Sequence, residues 1–121
     1  MDSNPIVRTL RREKNLLEQV LCLAICQLDL VQDGRLEDLE ASLLVRAERM
    51  KELAITEANV NAKMPEIEND PTVSSTELAE LDYLNLQIIR LTNSIVDIDE
   101  KAQHLVELVD SGVRPGRLTG A

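Results

Sequence analysis

The sequence has almost no aromatic residues: among 121 residues there is no Trp, no Phe and a single tyrosine, Tyr83. Sheets and α/β folds draw heavily on aromatic and β-branched side chains, so this scarcity argues against both. There are also only four glycines, while 44% of the residues are hydrophobic. A core of Leu, Ile, Val and Ala in a chain of this length predicts one all-α domain, a small helical bundle.

Positive charge is also scarce, since 13 Lys and Arg stand against 22 Asp and Glu and the net charge is −9. Such a surface repels phosphates, which predicts no nucleic-acid binding. No stretch reaches the ~18 consecutive apolar residues of a membrane span, so we predict no membrane insertion. The two cysteines, Cys22 and Cys26, lie one helical turn apart within an apolar run. We expect them to be buried free thiols in a reducing compartment, the cytoplasm.

Residues with catalytic potential are few. There is no phosphate-binding Gly-rich loop and no nucleophile elbow, and the one histidine, His104, has no second ligand nearby in sequence. The acidic residues Asp97, Asp99 and Glu100 point in different directions on a helix, so we expect them to be solvated. The sequence therefore predicts no catalytic residue, no metal and no cofactor.

One enzyme family remains an alternative. All-helical chorismate mutases are small and aromatic-poor, and their first helix looks similar to the stretch Ile95–Asp99. That family needs an arginine about two turns further along the helix, whereas the next arginine here is Arg114. An acidic chain without converging cations holds a dianionic substrate poorly, so this is the third choice.

The clearest pattern is a heptad in the last third of the chain. Apolar residues there are spaced alternately three and four residues apart. This spacing predicts one long helix with an apolar side that packs against another helix. We call these residues the α3 seam: Leu81, Leu84, Ile88, Leu91, Ile95, Ile98, Ala102, Leu105 and Val109. A capping box of Ser74 and Glu77 places this helix at about 75–110, with a stop at Ser111-Gly112 and a flexible tail at 113–121.

Two further helices precede it. The first is expected at about 5–32, with Asn4 as its N-cap and Pro5 as its first residue. Its middle is apolar on most sides, which predicts that this part is either the most buried segment of the fold or docked to a partner. A turn at Asp33-Gly34 then forces an antiparallel second helix at about 35–63. Prolines 65 and 71 predict a loop at 64–74, and the whole domain spans residues 1–112.

The second helix has its own predicted apolar line, with two charged residues in it. Its expected core residues are Leu36, Leu39, Leu43, Met50, Leu53 and Val60. Arg46 and Glu57 occupy positions where an apolar residue was expected. Either their stems pack while their charged groups reach solvent, or they make a polar contact that sets the register or specifies a partner.

The order of elements from Leu28 to Leu53 resembles the FlgN/FliT type of flagellar export chaperone. An apolar helix is followed by the turn and helix start Asp33–Leu39 and then by the helical segment Leu43–Met50 with Arg46 in it. The resemblance implies a cytoplasmic chaperone that binds the amphipathic C-terminal helix of an axial flagellar protein (hook-associated, cap or filament) before export.

A three-helix chain with a surplus apolar face can also accept a partner helix on physical grounds. We predict that this client helix lies on part of the α3 seam: Leu84, Ile88, Leu91, Ile95, Ile98 and Leu105. The alternatives are that these residues fill the chain's own core, or that they form a homodimer interface in a coiled-coil scaffold or adaptor.

Overall fold

The computed structural model describes residues 5–110, which form three α-helices and no strand. Helix α1 is Pro5–Asp33, α2 is Leu36–Glu68 and α3 is Ser75–Asp110. The all-α class is therefore confirmed. The predicted N-cap Asn4, the stop at Ser111-Gly112 and the tail 113–121 lie outside the described residues, as does the side chain of Val109.

The turn between α1 and α2 is a Schellman motif centred on Gly34. The Gly34 backbone has φ of 71°, a region in which only glycine is unstrained. The amide of Arg35 donates to the Leu30 carbonyl at 2.9 Å, and the amide of Gly34 donates to the Val31 carbonyl at 3.1 Å. Because the connection is so short, α2 returns antiparallel along α1, as the sequence predicted.

Helix α2 extends beyond its predicted end, so the predicted loop at 64–74 is too long. Pro65 lies inside the helix, in the last turn, where its missing amide removes a single hydrogen bond. Its carbonyl still accepts from the backbone amide of Asn69 at 3.2 Å and from the Asn69 side chain at 2.9 Å. The remaining connection holds an Asp70 carboxylate that accepts from the Thr72 hydroxyl and amide, which lowers the pKa of Asp70.

Helix α3 begins as predicted. The hydroxyl oxygen of Ser74 accepts from the amide of Glu77 at 3.1 Å, which satisfies one of the donors left free at a helix start. The helix then continues for 36 residues, about 54 Å at 1.5 Å per residue.

Helix α1 lies between the other two helices and carries most of the buried side chains. Within residues 5–110, the backbones of α2 and α3 nowhere approach to 8 Å, whereas each of them packs along α1. Two apolar clusters join the three helices. The first contains Ile6, Val7, Leu10, Val60, Leu81 and Leu84, and the second contains Leu16, Leu17, Val20, Leu53 and Ile95. The middle of α1 was predicted to be the most buried segment, but it is not uniformly so: Leu16 and Val20 are buried there, whereas Ile25 is 46% exposed.

The predicted apolar line of α2 is partly wrong. Leu53 and Val60 are buried and Leu39 is half-buried, but Leu36, Leu43 and Met50 are exposed. The side of α2 that faces α1 instead carries the polar residues Ser42, Arg49 and Thr56. Helix α1 presents the amide of Gln27 to this side, and Gln27 donates to the Ser42 hydroxyl at 3.1 Å. The side of α2 that faces α1 is therefore mixed, with buried Leu53 and Val60 beside the hydrogen-bonded Ser42.

The cysteines also differ from the prediction, because Cys22 and Cys26 are both exposed. At about 100° per residue they fall on the side of α1 opposite to the buried Val20 and Ala24. The inference of a reducing compartment loses the support that buried thiols would have given. No helix among residues 5–110 has the length and hydropathy that crossing a membrane requires.

Candidate partner-binding surface

The predicted client-binding residues of the α3 seam lie mainly against α1. Leu84 and Ile95 are buried in the two apolar clusters, and Ile88 and Leu91 pack against them. Ile98 and Leu105 are half-buried. That a client helix covers these residues stays a prediction, and for Leu84 and Ile95 it would require α1 to move away.

A polar contact centred on Arg46 joins all three helices. The Arg46 guanidinium donates to both carboxylate oxygens of Asp99 on α3, through Nη1 at 2.8 Å and Nη2 at 2.5 Å. Nη1 also donates to Oε1 of Gln27 on α1 at 2.9 Å. The hydrogen bonds that Arg46 donates to the Asp99 carboxylate raise the pKa of Arg46 above its ordinary value. Of the two interpretations left open by the sequence, Arg46 therefore follows the second, a specific polar contact.

Arg46 also divides the surface of α2 into two sides. Residues four before and three after it, Ser42 and Arg49, lie toward α1: Ser42 bonds Gln27, and Arg49 lines a hollow together with Gln19 of α1. Residues three before and four after it, Leu43 and Met50, lie on the other side of the helix by the same helical spacing. This second side faces α3, because the Arg46 guanidinium between the two sides extends to Asp99.

Helix α3 mirrors this division around Asp99. Residues four before and three after it, Ile95 and Ala102, belong to the α3 seam, which packs on α1. The residue three before Asp99, Val96, lies on the opposite side and is exposed. Ile89, one heptad before Val96, is exposed as well. The apolar side of α3 that is not covered by α1 therefore faces the direction of α2.

These two sides form a groove between α2 and α3, on the opposite side of the bundle from the surface of α1. We define the α2–α3 groove by its exposed apolar residues, which are Leu36, Leu43 and Met50 on α2 and Ile89 and Val96 on α3. The ion pair of Arg46 and Asp99 crosses it. Exposed apolar side chains in a row on two adjacent helices are typical of a surface that another helix covers.

Acidic residues accompany this groove. Glu13 of α1 has an ionisable carboxyl group but is only 6% exposed. Its position on the helix shows where it points, because Leu10 and Leu17, three residues before it and four after it, pack in the clusters that join α1 to both α2 and α3. Glu13 therefore faces the space between α2 and α3, where Glu57 lies close to it. Burial, and then the charge of Glu57, raise the pKa of Glu13.

The acidic residues of the last helix behave in two ways. Asp97 and Glu100 are exposed, as the sequence predicted, but Asp99 is half-buried in its ion pair with Arg46. The nearby His104 is also exposed. Sequence analysis missed Asp99. The available signal was Arg46 itself, since a charged residue in an apolar line can be paired with an opposite charge on a facing helix. Among residues 5–110, no three or more His, Cys, Asp or Glu side chains are arranged to hold a metal ion.

Comparison of the chain with protein-family models, with curated proteins and with solved structures gave no match.

Proposed function

We propose that this protein binds an amphipathic helix of another protein in the α2–α3 groove and acts as a chaperone for it. The observation that carries the proposal is the pairing of exposed apolar residues on the facing sides of α2 and α3. Helix α1 packs on both of these helices, whereas the backbones of α2 and α3 nowhere come within 8 Å of each other. A fourth helix in the groove would give the arrangement of a four-helix bundle, in which each helix packs on two neighbours.

The resemblance of residues 28–53 to flagellar export chaperones supplies the first client class to test. A C-terminal helix of an axial flagellar protein, held in the cytoplasm before export, fits a helix-in-groove mode of binding. The groove between Leu36 and Met50 spans 14 residues of α2, about 21 Å, which is the length of four helical turns. This role involves no catalytic chemistry.

The test is site-specific photo-crosslinking in the native cell. A photoreactive amino acid replaces Leu43 or Val96 in the groove, and in the control it replaces Leu44, which is more exposed than either. By helical spacing, Leu44 lies on the side of α2 that faces away from the groove. The control is therefore at least as exposed as the two groove positions but lies outside the groove. We expect crosslinks to one helix of a client protein from both groove positions and none from Leu44.

Two other results would overturn the proposal. Crosslinks from the groove only to a second copy of this chain would make the protein a homo-oligomeric scaffold or adaptor instead. Equal crosslinking from Leu44 and from the groove positions would mean that the groove has no special role. Measuring the molar mass of the purified protein over a range of concentrations separates a self-associating chain from a monomeric one.

A further inference from the structure

We propose that the helix which docks in the α2–α3 groove is cationic, with a Lys or Arg that reaches the carboxylates of Glu13 and Glu57. This inference rests on the proposed function and adds the chemistry of the partner. It concerns two carboxyl groups that form no ion pair with any of residues 5–110. The partner is thus defined as a basic amphipathic helix, apolar on the side that covers Met50 and Val96.

The first argument is the cost of Glu13. A buried carboxylate is normally paired with a cation or held by several hydrogen-bond donors, because removing it from water is unfavourable. Glu13 forms no ion pair within residues 5–110, although cations flank it on α1. Arg11 and Arg12 are turned to Glu80 and Glu52, and Lys14 pairs with Glu18 instead.

The second argument is that the neighbouring carboxylate of Glu57 repels a negative charge on Glu13. Glu57 carries the same sign as Glu13 and, among the described residues, also has no ion pair. Arg46, the one cation among residues 5–110 that forms an ion pair between α2 and α3, donates to both oxygens of Asp99. A positive charge brought by a partner would relieve the repulsion between Glu13 and Glu57 and pair with both.

The third argument is the composition of the groove walls. On α3, the carboxylate of Glu100 lines a hollow beside Val96. The nearest cations on α2 other than Arg46 are engaged elsewhere, since Lys51 pairs with Glu48 and Arg49 with Glu52. Apolar walls with carboxylates and few available cations are complementary to a helix that has an apolar face and a basic flank. An acidic amphipathic helix of the same hydrophobicity would be repelled.

The test compares two synthetic helical peptides of about 18 residues, which span ~27 Å. They share one Leu stripe and differ only in carrying Lys or Glu beside it. Binding to the full chain is measured by fluorescence anisotropy at an ionic strength of about 0.15 M, where distant charges are largely screened. We expect the Lys peptide to bind the unaltered chain at least about tenfold more tightly than the Glu peptide.

Matched variants show which carboxylates are responsible. The double variant Glu13→Gln/Glu57→Gln removes the two charges under discussion. The double variant Glu37→Gln/Glu66→Gln removes two exposed charges on the far side of α2 and so changes the net charge equally. We expect the preference for the Lys peptide to fall to within about twofold in the first variant and to persist in the second.

Each other outcome has a definite meaning. Loss of the preference in both double variants would show that net charge alone selects the peptide, which overturns the inference. If both peptides bind equally tightly and Met50→Asp abolishes the binding of both, the inference about charge is overturned. The proposed helix-binding function then remains supported. Absence of binding by either peptide at millimolar concentration would overturn the proposed function together with the inference.

Discussion

Ile95 and Val96 are neighbours in sequence, and the same substitution at each should give opposite results. Ile95 is 7% exposed and packs in the cluster that contains Leu17, Val20 and Leu53. Val96 is 47% exposed and belongs to the α2–α3 groove. The pair Ile95→Asp and Val96→Asp therefore separates residues that hold the fold together from residues that are available to a partner.

The magnitude follows from what the aspartate meets at each position. At residue 95 the change removes a buried branched side chain, which costs about 2–5 kcal/mol in a core. It also places an unpaired charge among apolar groups of α1 and α2, which adds several kcal/mol. The total is at least about 5 kcal/mol, comparable to the whole stability of a small domain, about 5–15 kcal/mol. At residue 96 the carboxylate reaches water, so the expected loss is below about 1 kcal/mol.

Far-ultraviolet circular dichroism during urea and thermal unfolding measures both effects. We expect Ile95→Asp to lose most of its helical signal or to unfold at a much lower urea concentration, and Val96→Asp to unfold close to the unaltered protein. Val96→Asp should nevertheless lose the client. If Ile95→Asp keeps its unfolding midpoint and loses only client binding, our assignment of Ile95 to the core is refuted, and the client-facing role predicted from the heptad is restored.

Two further predictions concern charged groups inside the bundle. The first is the bidentate pair of Arg46 and Asp99, which is only partly screened by solvent. A double-mutant cycle with Arg46→Met and Asp99→Leu, measured by urea unfolding, should give a coupling free energy of about 1–2 kcal/mol. A coupling free energy near zero would mean that the pair does not hold α3 toward α2. For Glu13, whose pKa is raised in the folded chain, stability is gained below the unfolded pKa and lost as the pH rises through the folded pKa. Glu13→Gln should therefore raise the free energy of unfolding at pH 7.5 by on the order of 1 kcal/mol, and by less at pH 5; an advantage that grows on acidification would contradict this.

Much of the fold was predictable from the sequence because its signals are local. The turn at Gly34 and the cap at Ser74 depend on residues within one helical turn of each other, and both were predicted at their observed positions. The α3 seam was also predictable as an apolar line, because its heptad is continuous. Its burial against α1 was one of the alternatives that the pattern left open, beside a client helix and a homodimer interface.

The orientation of α2 about its own axis was not predictable in the same way. The side of α2 that faces α1 carries the buried apolar residues Leu53 and Val60. Nearer the turn it carries the half-buried Ser42, which forms a hydrogen bond with Gln27 of α1, and Leu43 is exposed. The pattern of α2 alone does not contain this contact, because Gln27 lies on another helix. The groove was missed for this reason, because its α2 wall consists of residues that the pattern had assigned to the core.

The central position of α1 also determines the order in which the chain assembles. The two-residue connection at Gly34 lets α1 and α2 pair with little loss of chain entropy. The contacts of α3 with α1 are more distant in sequence, because the whole of α2 lies between them, and they cost more chain entropy to form. We therefore expect the hairpin to form early and α3 to dock last and to leave first on unfolding. A helix that binds both α2 and α3 would then slow the departure of α3, so client binding would extend the lifetime of the native state as well as its equilibrium stability.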